Sequence, residues 1–159
     1  MSGYVAVLFG RSRATEDIDV ITERFDDGTA DELAERLQEA GYWGSAMPLE
    51  DLHDTLADDL PVRVAEDGHR VPNVELKFAF DEYDRISLDD AIHVRLGGET
   101  IHIGSLEFQI AYKLNMGAPR DYEDALYLHE VAGPSLNRTA LKRYVTKLGV
   151  EDEYGQLGG

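Results

Sequence analysis

Asp17 and Asp19 are two carboxylates separated by a single residue, Ile18, at the start of the short apolar stretch Ile18 to Ile21 (IDVI). A strand sends alternate side chains to opposite faces, so an IDVI strand puts both carboxylates on one face and turns Ile18 to the core. Two carboxylates at that spacing suit a hard divalent ion, and Mg²⁺ is commonly held by one or two carboxylates together with phosphate oxygens. Paired ions about 3.5–4 Å apart orient a nucleophile and stabilise the leaving group in phosphoryl transfer. Such chemistry calls for a third acidic residue from a neighbouring strand. Glu75 is the best candidate, because it alternates with Val74 and Leu76 and can therefore share a face with the pair; Lys77 and Asp81 are nearby alternatives. The competing explanation is composition, since a D-x-D also arises by chance in a chain with 32 acidic residues.

Composition narrows the chemistry. There is no cysteine, which excludes disulfides, thiolate catalysis and zinc sites built from sulfur, and leaves oxygen and imidazole as metal ligands. The chain has 159 residues, 43% of them apolar, enough for one domain with a real core. No apolar run approaches the roughly 18 residues of a membrane span and the first residues lack a signal-peptide pattern, so a cytoplasmic protein without a membrane partner is expected. The formal net charge is -17, with the acids dispersed along the chain and only Lys77, Lys113, Lys142 and Lys147 as lysines. Dispersed carboxylates with few lysines suit a protein kept soluble in concentrated salt, pointing to a halophilic source. The same charge disfavours a broad nonspecific nucleic-acid surface at low salt.

The elements that must position the carboxylates follow from periodicity. Tyr4 to Phe9 (YVAVLF) reads as a buried strand ending at Gly10, and Ile18 to Ile21 as a second, joined by the polar GRSRATED. Thr29 and Glu32 form a capping-box pattern ahead of a helix bearing Leu33, Leu37 and Ala40 and stopped by Gly41. Pro48 to Asp58 reads as a weaker helix. Pro61 to Ala65 and Asn73 to Phe80 read as a hairpin, as do Ile92 to Leu96 and Thr100 to Ile103 around Gly97-Gly98. Three helical segments follow, Leu106 to Met116, Arg120 to Val131 and Leu136 to Leu148, and Gly155 to Gly159 reads as a disordered tail. The expected fold is α+β, a small mixed sheet with helices packed on it and a helical C-terminal half. The expected organisation is a core over 1–104, a helical segment over 105–150 packed on the same domain, and a tail over 151–159. Neither a GxGxxG nor a Walker pattern is present.

The stretch Arg13-Ala14-Thr15-Glu16-Asp17-Ile18-Asp19-Val20 resembles the R-x-T-x-D-I-D signature of the nucleotidyltransferase superfamily, in the branch that includes AbiEii-type toxins. Ser105-Leu106-Glu107, Lys113, and Arg120-Asp121 with Asp124 are similar to the S-x-E, K, R-D-x-x-D pattern of the helices behind the sheet in those proteins. The resemblance implies the DNA polymerase beta-like fold and transfer of a nucleoside monophosphate from an NTP to a hydroxyl of tRNA, a protein or a small molecule. It implies Asp17 and Asp19 as ligands of Mg²⁺ or Mn²⁺, and Glu75 as base or third ligand. Arg13, Thr15 and Lys113 would then contact the nucleotide, and an antitoxin partner belongs to the same picture.

The family's glycine motif, which lets the backbone approach phosphates, has two counterparts here: Ser2-Gly3, or Gly10-Arg11-Ser12 at a shorter spacing. A catalytically inactive nucleotide-binding or protein-interaction module of the same fold is the alternative. Structural explanations also stand for the helical residues: Lys113 can pair with Asp121 or Glu107, and Asp121 and Asp124 can cap a helix or pair with Arg120. His93 and His102 are expected to face each other as ordinary sheet residues, and no histidine is assigned a catalytic role.

Overall fold

The structure, a computed structural model, describes residues 3–12 and 14–158. The architecture is α+β, and the chain divides into two compact units. One spans 14–85; the other combines 3–12 with 86–158, so one boundary falls between Arg85 and Ile86.

The first unit is built on a four-stranded mixed sheet in the order β1-β4-β3-β2. Its strands are β1 (Asp17–Thr22), β2 (Tyr42–Gly44), β3 (Val62–Glu66) and β4 (Asn73–Phe78). β1 runs parallel to β4, whereas β4–β3 and β3–β2 are antiparallel. The β3–β4 hairpin was legible in the sequence; β2 was not, because three residues are too few to establish a period.

The apolar face of this sheet is covered by two helices. Val62, Val64, Leu76 and Phe78 pack against Ala30 and Ala34 of α2 (Asp27–Glu39), Leu52 and Leu56 of α3 (Leu52–Ala57), and Leu49 in the short 3₁₀ turn before it. Leu52, Leu56 and Val62 are almost wholly removed from water, and burial of each such side chain contributes about 1.5–3 kcal/mol. The cap of α2 differs from expectation: Asp26, three residues before Thr29, accepts hydrogen bonds from the Thr29 backbone N–H (2.9 Å) and hydroxyl (2.7 Å). Those bonds hold the Asp26 carboxyl below its ordinary pKa. Gly41, with φ 82°, ends the helix region as expected.

The second unit is mainly helical, with one β-hairpin. Here the reading of Tyr4 to Phe9 as a strand is corrected: Tyr4–Leu8 forms α1. A continuous apolar run carries no period of its own, and this one packs on a helix. The end of α1 is a Schellman stop, in which Gly10 N–H donates to Val7 O (2.9 Å) and Arg11 N–H to Ala6 O (3.0 Å). That stop requires Gly10 at φ 98°, where a side chain would be strained.

α4 (Glu82–Asp89) crosses the boundary between the units. The hairpin β5 (Ile92–Leu96) and β6 (Glu99–Ile103) forms its own two-stranded sheet, turning through Gly97 and Gly98, both with positive φ as a tight primed turn demands. His93 and His102 face each other across it, with ring centroids 4.4 Å apart.

The three predicted C-terminal helices appear as α5 (Leu106–Met116), α6 (Pro119–Ala132) and α7 (Arg138–Leu148). α5 is buried nearly all round, through Leu106, Phe108, Ile110, Ala111 and Leu114, because α6 and α7 both pack on it. The expected tail is also corrected: Glu151–Leu157 forms α8, held by the buried Val150 and Leu157. No helix among the described residues is long and apolar enough to cross a membrane.

Candidate active site

β1 brings Asp17 and Asp19 to one face of its sheet, and the register with β4 determines what lies beside them. Asp17 pairs with Asn73, Asp19 with Glu75, and Ile21 with Lys77. Paired residues on adjacent strands share a face, so Glu75 is the immediate lateral neighbour of Asp19. The next strand continues the row, because Arg63 of β3 pairs with Glu75. Ile18 and Val20 lie in register with Val74 and Leu76 on the opposite face, where Leu76 joins the core while Ile18 stays half-buried and Val20 exposed at the sheet edge.

The charges on this face are partly answered from within it. Arg63 Nε donates to Glu75 Oε2 at 2.9 Å. The Thr15 hydroxyl lies 3.0 Å from the Asp17 carbonyl oxygen and 3.4 Å from Asp17 Oδ1, a local turn that fixes the entry to β1. Lys77 Nζ lies 2.8 Å from Asp84 Oδ1, a buried carboxylate on α4 that also accepts from Phe80 N–H at 3.2 Å. Asp81 is off the strand: its Oδ1 accepts from Asp84 N–H at 2.8 Å at the start of α4. Of the residues weighed as third member of the set, only Glu75 is both acidic and on the strand beside Asp19.

Asn73, next to Asp17, went unnoticed in the sequence. Its side-chain Nδ2 donates to Glu16 O at 3.2 Å, which orients the amide, and leaves Oδ1 buried with no hydrogen-bond partner. A buried, unsatisfied acceptor is costly and unusual. Arg63 was missed as well, although V-R-V places it out of phase with the buried Val62 and Val64, which is the signal that could have found it.

These donors fit a hard cation in part. Asp17 and Asp19 offer carboxylate oxygens and Asn73 an unused amide oxygen, the ligand class that Mg²⁺ and Mn²⁺ prefer. Among the described residues no three His, Asp or Glu side chains gather as a metal-binding group as they stand, and Glu75 is engaged by Arg63.

The other predicted site residues have local roles in the helical unit or lie outside the described residues. Ser2 and Arg13 are in the latter group. Gly3 is the N-cap residue of α1, with an ordinary right-handed φ of -59°. Lys113 is 2% exposed along its side chain, and its Nζ lies 2.7 Å from Asp121 Oδ1 and 3.0 Å from Asp124 Oδ2. Asp124, wholly buried, also pairs with Arg11 Nη1, and Arg11 Nη2 reaches Glu123 Oε2 at 2.6 Å. Glu107 accepts from Asn137 N–H at 2.6 Å, tying α5 to the start of α7. Of the S-x-E, K, R-D-x-x-D residues, Lys113, Asp121 and Asp124 form an ion-paired cluster of the helical unit, whereas Ser105 is buried with its hydroxyl unpartnered and Arg120 is exposed. The chain matches no protein-family model and no curated protein.

Proposed function

We propose that this protein is a metal-dependent nucleotidyltransferase of the DNA polymerase beta-like fold, which moves a nucleoside monophosphate from an NTP to an acceptor hydroxyl. The observation that carries the reading is the register of β1 and β4, which sets Glu75 beside Asp19 on the face that also bears Asp17. The small mixed sheet with helices on one side is compatible with that fold. In the reaction the acceptor oxygen bonds to the α-phosphorus, the bond from that phosphorus to the bridging oxygen breaks, and pyrophosphate leaves.

Asp17 and Asp19 would hold Mg²⁺ or Mn²⁺, and the bound ion would supply charge neutralisation at the phosphate oxygens. Thr15 steadies the Asp17 carboxylate. Glu75, released from Arg63, is the carboxylate that takes the acceptor's proton or completes the ligand set. RNA, a protein or a small molecule as acceptor, and an antitoxin as partner, rest on the resemblance of the motifs alone.

The test is transfer from α-labelled NTPs by the wild type and Asp17→Asn. The proposal expects transfer by the wild type and its loss in the variant with the fold intact; transfer retained in the variant overturns the assignment. One observation favours a second reading, a non-catalytic module. β1 is an edge strand, where charged side chains also serve to prevent pairing with other chains. That reading expects no metal-dependent NTP affinity.

A further inference from the structure

We infer that the outer face of α7 docks the phosphate backbone of a nucleic-acid duplex. The inference stands apart from the proposed transfer reaction and needs no metal. Its ground is the distribution of charge along the chain. Residues 131–150 contain no aspartate or glutamate, although acids make up 32 of the 159 residues. The charged side chains of α7 are all basic: Arg138, Lys142, Arg143 and Lys147.

Helical spacing gathers them on one face. Leu141, Tyr144, Val145 and Leu148 are buried where α7 packs on α5, whereas the four cations are exposed together with Thr139 and Thr146. They run along a helix of 11 residues, about 16 Å in length. The start of this helix also opposes its own dipole. α2 to α6 and α8 each carry an acid in the first turn, which the positive end of a helix favours; α7 has none and opens on Arg138. A local rule broken in this way marks a surface with another use. Arg138 and Lys142 have no ion-pair partner among the described residues. Arg143 Nη2 lies 3.6 Å from Asp90 Oδ2, a carboxylate that also accepts from the Tyr144 hydroxyl, and its guanidinium sits 4.8 Å from the centre of the Tyr144 ring, which holds it along the helix surface.

A phosphate backbone is the occupant whose charge complements this face. Arg, Lys and Thr side chains are the groups that hold phosphate oxygens. The one aromatic of α7, Tyr144, is buried, so the helix offers no ring on which a splayed base could stack, as single strands require. A duplex instead presents one charge per about 1.7 Å of its axis. The net charge of -17 opposes a broad contact. At about 0.1 M salt, however, screening acts within about 10 Å, so a duplex lying along α7 feels the helix's own cations before more distant acids.

The test is fluorescence anisotropy of a labelled mixed-sequence DNA duplex over a salt series. It compares the wild type, the double variant Arg138→Gln/Lys142→Gln, and the control Arg36→Gln/Arg70→Gln, which removes the same charge from exposed positions of the other unit. Melting curves establish that each is folded. Four phosphate contacts predict that log affinity falls against log salt with a slope of about -3.6, and that the α7 variant lowers this slope by about 2 and weakens low-salt binding roughly tenfold or more. The control should weaken binding by less than about twofold. Equal weakening by control and α7 variant means that only net charge matters, and overturns the inference, as does the absence of duplex binding by the folded wild type. Tighter binding of a single strand, or of polyglutamate, also overturns it, the latter in favour of an acidic protein surface.

Discussion

Two places in this molecule gather the same kinds of residue in opposite surroundings. In the helical unit, Lys113 and Arg11 meet Asp121 and Asp124 in a cluster where Lys113 and Asp124 are sealed from water. On the sheet of the other unit, Glu75 pairs with Arg63 from the neighbouring strand, on a face where Asp17 is exposed and Asp19 and Glu75 are half-buried. Burial and the number of partners separate the two. A sealed carboxylate with two cations is committed to structure, because removing either partner leaves a charge that cannot be rehydrated. A half-exposed carboxylate with a solvent-exposed partner keeps its access to water, and losing that partner costs it little.

The comparison makes its largest prediction in the sealed cluster. Lys113→Ala should cost about 3–5 kcal/mol, since it strips the buried Asp124 and Asp121 of a shared partner. Asp17→Asn should change stability by no more than about 0.5 kcal/mol, as surface substitutions do. Denaturant unfolding followed by circular dichroism measures both, and the comparison breaks if the two values are similar.

The sequence allowed the open site to be read further than the sealed one, for physical reasons. Alternation in D-I-D and V-E-L specifies a face, and the partnership of Asp19 with Glu75 needed only the register to complete it. The β3–β4 and β5–β6 hairpins and α5 to α7 were legible from turn residues and helical spacing. Tyr4–Leu8 was misread because an apolar run without polar punctuation has no period; Gly10, read as a turn, was in fact the C′ residue of a helix. The Lys113 cluster joins residues from α5, α6 and the turn after α1, more than a hundred positions apart for Arg11 and Asp124. No local pattern encodes such a meeting, and the pairing of Lys113 with Asp121 was visible only because they are eight residues apart.

A smaller effect sharpens the account of α1. Gly10→Ala should destabilise by about 1–2 kcal/mol, because φ is 98° and the new methyl would lie 3.2 Å from the Tyr127 hydroxyl. That hydroxyl donates to Phe9 O at 3.0 Å and so cannot simply withdraw. Thermal melting measures it, and a neutral result would remove the Schellman stop from the account.

The smallest effect concerns pH. His129 has a lowered pKa, first because burial disfavours its charged form and then because Arg138 lies near, with Glu130 opposing. Its Nε2 is buried without a partner, and its ring meets that of Tyr154 edge to face. Since the folded state binds the proton less readily than the unfolded chain, the contribution is complete above about pH 6.5 and is lost as pH falls through the folded value. His129→Gln should flatten the pH dependence of stability in that window. An unchanged pH profile would contradict the assignment.

The most direct test of the central claim is calorimetric titration of the whole protein, in molar salt, with each of the four NTPs, with and without Mg²⁺, alongside Asp17→Asn. The account predicts NTP binding that requires both the metal and Asp17. Binding indifferent to either, or no binding by the folded protein, would contradict it and leave the acidic face as edge protection for β1.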